Sequence, residues 1–238
     1  MRAMILAAGL GTRLKPFTEN HPKALAMVNG KTLLQHNIEY LITAGISDII
    51  INVHHFADQI IDAIATNEQF GKHITISDES MEVLETGGGL QKASWFFDGN
   101  EPFLLMNVDI LTDLNVRGLI HAHIQSGALA TLAVTDRQTS RYFLFTHDNK
   151  LCGWENVKTG EVRMCFDTST PFRKAFSGVH VISPRIFSLI TFSGKFSMVD
   201  VYLTLAKTET IAAFDHSGSK FIDVGTPGSI EEAEKLFS

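Results

Sequence analysis

Short apolar runs and amphipathic stretches alternate along the first 140 residues of the chain. "RAMILAA", "SDIIINVHH", "HITISD", "PFLLMNVD" and "ALATLAVTD" read as strands. Between them, "TLLQHNIEYLITAG" sets Leu34, Ile38, Leu41 and Ile42 on one helical face and stops at Gly45. "ADQIIDAIATN" and "NVRGLIHAHIQS" read as helices, and "GGLQKASWFF" as a helix that opens after three glycines. Strands that are apolar throughout are covered on both faces. When helices connect them, the sheet is mostly parallel, because parallel neighbours need a long crossover. The predicted fold class is α/β: a Rossmann-like, mixed but mostly parallel sheet with helices on both faces.

From about Tyr142 the pattern changes. "YFLFTHDNKLCGWENVKTGEVRM" alternates in polarity and carries turn signals at "HDNK" and "KTGE", which predicts antiparallel hairpins. "FSGVHVIS" returns to a core strand. "DVYLTLAKT", "TIAAFDH", "KFIDVGT" and "PGSIEEAEKLF" close the chain as helix, strand, strand and helix, with Pro227 just inside the last start. No repeat, low-complexity segment or linker interrupts the sequence. The 238 residues are therefore expected to form one domain, with halves at 1–140 and 141–238.

The hydrophobic fraction of 45% and the charged fraction of 19% fit a soluble globular protein. A net charge of -6 argues against a nucleic-acid surface, which needs a basic excess. The apolar run Ala3–Ala8 is broken at once by a glycine loop, so it predicts a strand rather than a signal peptide. No apolar run is long enough for a bilayer, and the expected location is the cytoplasm, with no membrane partner. Cys152 and Cys165 form no CxxC pair and read as reduced thiols. Oligomeric state is not legible.

Positive charge is instead local. In "LAAGLGTRLKPFTENHPKAL" a strand runs into Gly9-Leu10-Gly11-Thr12, and Arg13, Lys15 and Lys23 follow. Bare backbone N–H groups beside cations cradle phosphate. The dinucleotide fingerprint fails here, because Leu14 stands at the third glycine position and the second strand ends in Asn52 rather than an acid. The P-loop pattern is absent as well. A glycine turn with solvated lysines is the bland alternative.

This stretch resembles the signature of the sugar-1-phosphate nucleotidyltransferases, G-x-G-T-R-L followed by P-K-x-L. "LETGGGLQKA", "FLLMNVDILTD", "FSGVHVISP" and "FIDVGTPGSIEEAEKLF" resemble the later motifs of that family, in its order and over nearly the whole chain. Within the family, the E-T-G-G-G segment, the aspartate strand and the short C-terminus look most like the N-acetylmuramate 1-phosphate uridylyltransferases. Mannose- and heptose-1-phosphate guanylyltransferases come next. The resemblance implies the nucleotide-diphospho-sugar transferase fold and Mg²⁺-dependent transfer of a nucleotide from a nucleoside triphosphate to a sugar 1-phosphate, with release of pyrophosphate. With N-acetylmuramate 1-phosphate as acceptor, the product would serve cell-wall sugar recycling.

It also implies roles for particular residues. Arg13 and Lys23 are the catalytic candidates: a guanidinium fork can hold the leaving pyrophosphate, and Lys23 would lie between the α-phosphate and the sugar phosphate. Asp109 and Asp223 are the candidate Mg²⁺ ligands, since magnesium favours one or two carboxylates with phosphate oxygens and water. Leu6, Ala7, Ala8, Gly9, Gly11, Thr12, Thr86, Gly87 and Gly88 are expected at the nucleotide, and Asn107, Glu155 and Gly178 at the sugar. Glu85 fits either, Lys15 extends the positive field, and Asp113 reads as a helix cap.

The sequence departs from the family in three places. Val108 stands where N-G-D has glycine, "GWENV" stands where E-K-P is frequent, and Phe221 replaces a frequent tryptophan. The ten histidines form no ligand pattern; His54, His55, His121 and His123 read as structural or solvated, with a place in the cleft as the alternative for Asn52 and His54. A sensor that binds nucleotide sugars without turnover is the competing class. The presence of Arg13, Lys23, Asp109 and Asp223 together favours the enzyme.

Overall fold

The computed structural model of the chain describes residues 1–67, 70 and 73–238. In chain order the strands are β1 (Arg2–Leu6), β2 (Met27–Val28), β3 (Lys31–Thr32), β4 (Asp48–Val53), β5 (His73–Asp78), β6 (Phe103–Asn107), β7 (Ile110–Thr112), β8 (Ala130–Thr135), β9 (Arg141–Phe145), β10 (Leu151–Asn156), β11 (Glu161–Met164), β12 (Phe172–Ile182), β13 (Ile211–Asp215) and β14 (Phe221–Asp223). The helices are α1 (Leu33–Thr43), α2 (Ala57–Thr66), α3 (Glu85–Lys92), α4 (Val116–Ser126), α5 (Ile186–Leu189), α6 (Met198–Leu205) and α7 (Pro227–Leu236).

Ten strands form one sheet in the order β11-β10-β9-β12-β6-β1-β4-β5, with β8 on β12 and β13 on β8. The parallel part is β6-β1-β4-β5, plus the β13–β8 pair. β12 runs antiparallel to β6, β8 and β9, and the predicted hairpins β9–β10–β11 continue the sheet from it. The sheet is covered on both faces, as β1 shows directly. Met4 packs into one cluster with Leu90, Phe97, Phe103 and Tyr202, while Ala3 and Ile5 pack into another with Leu34, Ile38 and Leu41. Alternate residues of a strand point to opposite faces, so a strand buried on both must be apolar throughout. Each such isoleucine or leucine, fully buried, contributes about 2 kcal/mol.

Two sequence expectations need correction, and one helix was not foreseen. The glycines do not precede α3 but form its first turns, so the helix starts at Glu85 and ends at Lys92; Ser94–Phe97 is a separate 3-10 turn. Asp113 does not cap α4. The cap is Asn115, whose side chain accepts from Gly118 N–H at 3.0 Å, while Asp113 accepts from Lys220 N–H at 2.7 Å and anchors the start of β14. The four-residue α5 had no signal, being shorter than one hydrophobic period can reveal. No helix among the described residues is long and apolar enough to cross a membrane.

The register places the site. Leu6 at the end of β1 lies opposite Asn52 of β4 on one side and Asn107 of β6 on the other. The carboxyl ends of three parallel strands thus finish at one level, where an open α/β sheet offers its ligand crevice.

Candidate active site

A cleft of about 360 Å³ opens at that level, and Leu6, Ala7, Ala8, Gly9, Asn52 and Asn107 line its floor. Thr86, Glu85, Lys23 and Asp109 contribute to its walls. The sequence had not pointed to Val83 or Ser197, which also line it. Ser197 carries no local motif and arrives from a distant part of the chain.

The loop after β1 is pinned from two directions. Leu14 is buried with Val28, Leu33, Leu111 and Val224, which leaves Thr12 and Arg13 exposed at the rim. Gly11 has φ +61, and a Cβ there would come within 2.9 Å of Thr18 Cγ2 and 3.0 Å of Lys23 Cβ. Only glycine allows that turn to lie so close to Lys23. Pro22 is extended at ψ 145, and Lys23 opens a single 3-10 turn that aims its ammonium inward.

Lys23 Nζ is ion-paired with Asp109 Oδ2 and lies 3.9 Å from Asp223 Oδ1. Arg13 Nη2 stands 3.7 Å from Asp223 Oδ2. The four charged residues predicted from the sequence are therefore brought together. Asp109 leaves the end of β6, and Asp223 ends β14, which pairs with β7 so that Asp223 faces Ile110. Burial, reinforced by the charge of Asp109, pushes the Asp223 carboxyl above its ordinary range against the opposing pull of Lys23, Arg13 and Arg137. Asp223 Oδ1 is buried without a hydrogen-bond partner. Lys23 is only 11% exposed whereas Arg13 is 64% exposed, so the lysine is held and the arginine is free to turn toward a ligand. Lys15 pairs instead with Glu19, at 3.6 Å.

The floor has its own polar support. Asn52 Oδ1 accepts from Ala7 N–H at 2.7 Å, and its Nδ2 donates to Glu79 Oε1 at 2.8 Å. Ala7 N–H is thus already engaged, and Leu6 C=O accepts from Val108 N–H at 3.1 Å. Glu79 is buried, which raises its carboxyl above the usual range despite the Asn52 bond. Val108 puts its side chain into the core, and its carbonyl accepts from the buried Asn37 at 2.8 Å.

The helix α3 is held by a strap that runs into α6. Gly87 and Gly88 N–H both donate to Phe196 C=O, at 2.9 and 3.2 Å, and Thr86 Oγ1 accepts from Met198 N–H at 2.9 Å. The close approach that these glycines permit is to Phe196 and Gly194 of the strap. Lys195 Nζ is 3.7 Å from Glu85. Gly178 lies in an irregular stretch of β12 where a Cβ would come within 2.8 Å of Asn107 Nδ2. Glu155 is buried on β10 and pairs with Arg173 of β12, a contact absent from the cleft lining described above.

A model of the family described as Nucleotidyl transferase matches residues 2–158. The chain belongs to that family. It is 32% identical to the N-acetylmuramate alpha-1-phosphate uridylyltransferase of Caulobacter vibrioides, over 98% of this chain and 95% of that protein. It is 28% identical to the mannose-1-phosphate guanyltransferase of Yarrowia lipolytica, over 95% of this chain but 61% of that protein. The crystal structure of HddC from Yersinia pseudotuberculosis complexed with GMP-PN superposes with a TM-score of 0.79 at 25% identity, covering 100% of this chain and 99% of that one. The architecture is accordingly the nucleotide-diphospho-sugar transferase fold. This nucleotidyltransferase is an enzyme of the sugar-1-phosphate class.

Proposed function

We propose that the enzyme transfers the uridylyl group of UTP to N-acetylmuramate 1-phosphate, giving the UDP-sugar and pyrophosphate, in a cytoplasmic cell-wall recycling route. One observation carries the chemistry: two cations, Arg13 and Lys23, and two carboxylates, Asp109 and Asp223, converge at the edge of one cleft. The choice of acceptor rests on the Caulobacter relative, whose whole length this chain nearly spans. Transfer to a mannose or heptose 1-phosphate from GTP is the alternative, supported by the guanyltransferase relative and by the likeness to a protein complexed with GMP-PN.

In this reading the backbone of Leu6–Gly9 and the start of α3 take the base and ribose. Gly11, Thr12 and Arg13 take the triphosphate, and Asn107, Gly178 and Glu155 serve the sugar. Residues 1–140 then form the nucleotide half and 141–238 the sugar half of one domain. Asp109 and Asp223 fit a hard divalent ion such as Mg²⁺: both are oxygen donors, and the buried Asp223 Oδ1 has no hydrogen-bond partner. Bound there, Mg²⁺ would neutralise phosphate charge and so ease the meeting of two polyanions.

The chain's own residues account for the rest of the barrier. Two anionic substrates repel, so positioning and charge stabilisation dominate. Lys23, held rigidly by its burial, stabilises charge on the α-phosphate as a phosphate oxygen of the sugar 1-phosphate attacks. The exposed fork of Arg13 grips the departing pyrophosphate in two places. No covalent enzyme intermediate is needed. The test is pyrophosphate release with Mg²⁺, crossing UTP, GTP, CTP and dTTP against sugar 1-phosphates that include N-acetylmuramate 1-phosphate. A dominant UTP–muramate signal that collapses in Arg13→Ala is the expected result. Equal release by Arg13→Ala would sink the site assignment, and a dominant GTP–mannose or GTP–heptose signal would replace the substrates.

A further inference from the structure

Two arginines among the described residues are half-buried, Arg2 and Arg137. Arg2 is paired with Asp98. Arg137, in the connector between β8 and β9, has no carboxylate within ion-pair distance among the described residues. Its Nη2 donates to the backbone carbonyl of Phe176 at 2.9 Å, and its Nε is buried without a partner. Its guanidinium lies 5.0 Å from the centroid of the Phe221 ring. Burial lowers its pKa, and the charge of Asp223 offsets part of that. A cation taken from water and met only by a neutral carbonyl and a ring is under-compensated.

The position of this cation is informative. Phe221 and Asp223 are alternate residues of β14 and project to the same face. Arg137 therefore rests beside the strand that carries Asp223, and its charge reaches that carboxylate together with those of Lys23 and Arg13. Its other electrostatic neighbour is Tyr142 on β9, which stands opposite Glu155 on β10. Arg137 thus lies between β14, which carries Asp223, and β12 of the chain's second half.

We infer that Arg137 binds an oxyanion of the acceptor, next to Asp223. This rests on the sugar-phosphate reading above. A planar fork suits either of the two oxyanions such an acceptor can carry, the phosphate on C1 or a carboxylate on the sugar, as in N-acetylmuramate. The bland alternative is that Arg137 only props β12 against β14.

The experiment is steady-state kinetics of wild type, Arg137→Gln and Arg137→Lys, with thermal unfolding of each as the check on folding. The expected result is an acceptor KM raised about tenfold to a hundredfold in Arg137→Gln, a UTP KM within about twofold, and partial recovery in Arg137→Lys. Equal losses toward N-acetylmuramate 1-phosphate and N-acetylglucosamine 1-phosphate identify the phosphate as the bound group. A loss confined to N-acetylmuramate 1-phosphate identifies the carboxylate. An unchanged acceptor KM, whatever happens to thermal stability, overturns the inference and leaves the prop. If wild type turns over no donor–acceptor pair, the sugar-phosphate reading fails by itself. Calorimetric titration of N-acetylmuramate 1-phosphate into wild type and Arg137→Gln then decides: weaker binding by the variant supports the inference, and equal binding, or none to wild type, overturns it.

Discussion

Asp109 and Asp223 are tied to one another through the backbone: the amide following Asp223, that of Val224, donates to the carbonyl of Asp109 at 2.8 Å. The β7–β14 pairing extends this contact, so the spacing of the two carboxylates is set by main chain rather than by the side chains. Lys23 Nζ then stands against both. In the proposed metal-dependent reaction, the lysine occupies ground that a divalent ion would contest. Lys23→Met should therefore cut turnover about 10²- to 10³-fold, the range for removing one preorganised charge. The same variant should be stabilised by lower MgCl₂ concentrations than wild type when no nucleotide is present. Thermal melts across a MgCl₂ series check this, and an unshifted midpoint would show that the lysine and the metal do not compete.

Asn52 joins the cleft floor to a buried acid. Its removal in Asn52→Ala leaves Ala7 N–H without its acceptor and takes one donor from Glu79. A buried amide left unpaired costs about 1–3 kcal/mol, and the floor it fixes is where the base is proposed to lie. Urea denaturation should register that loss, and the nucleotide KM should rise while the acceptor KM holds. Asn52→Asp is the finer probe. It keeps an acceptor for Ala7 but sets a second carboxylate beside Glu79, whose carboxyl burial already raises. Its deficit should shrink as pH falls into the range where these carboxyls protonate, because protonation relieves the repulsion. A pH-independent deficit would argue that the two groups do not interact.

Much of this was legible in the sequence, and the reason is physical. Strands covered on both faces must be apolar throughout, so β1, β4, β6 and β8 announced themselves; helices with one buried stripe, such as α1, did too. The cations and carboxylates were legible because they sit in motifs next to strand ends. What could not be read were contacts made across long stretches of chain. Phe196 caps α3 through its backbone carbonyl, which no side-chain pattern encodes. Asn115 rather than Asp113 caps α4, since either residue type would serve and register decides. Arg137 gave no signal, because an arginine in a polar connector looks solvated until its burial is seen.

The strap contact makes a stability prediction that reverses a general rule. Alanine in place of a helical glycine usually stabilises by about 0.5–1 kcal/mol. At Gly88, however, a Cβ would come within 2.3 Å of Gly194 C=O, a backbone atom that cannot turn aside. Gly88→Ala should therefore destabilise by about 1–3 kcal/mol, a fall in Tm of roughly 2–4 °C per kcal/mol for a chain of this size. Differential scanning calorimetry measures it. A rise in Tm would mean that the strap does not rest on α3 as described.

Buried histidines should make the fold sensitive to acid. His123 on α4 is 4% exposed, with Nδ1 3.0 Å from Thr131 Oγ1, and burial pushes its pKa down to about 4. His180 of β12, against the Tyr202 hydroxyl at 2.5 Å, is pushed down to about 3 by the same cause. In the unfolded chain each returns to about 6.5. Between pH 6.5 and 4 the unfolded state therefore binds protons that the native state refuses, and stability must fall as pH falls through that window. Above pH 6.5 both states hold neutral imidazole and the effect vanishes. For His123 alone the loss at pH 5 is about 2 kcal/mol relative to pH 7.5. Glutamine stays neutral throughout, so His123→Gln should lose about that much less than wild type over the same interval, even if it is less stable at pH 7.5. Urea denaturation of both proteins at the two pH values makes the comparison. Equal losses would mean that His123 is protonated as readily in the native protein as in the unfolded chain.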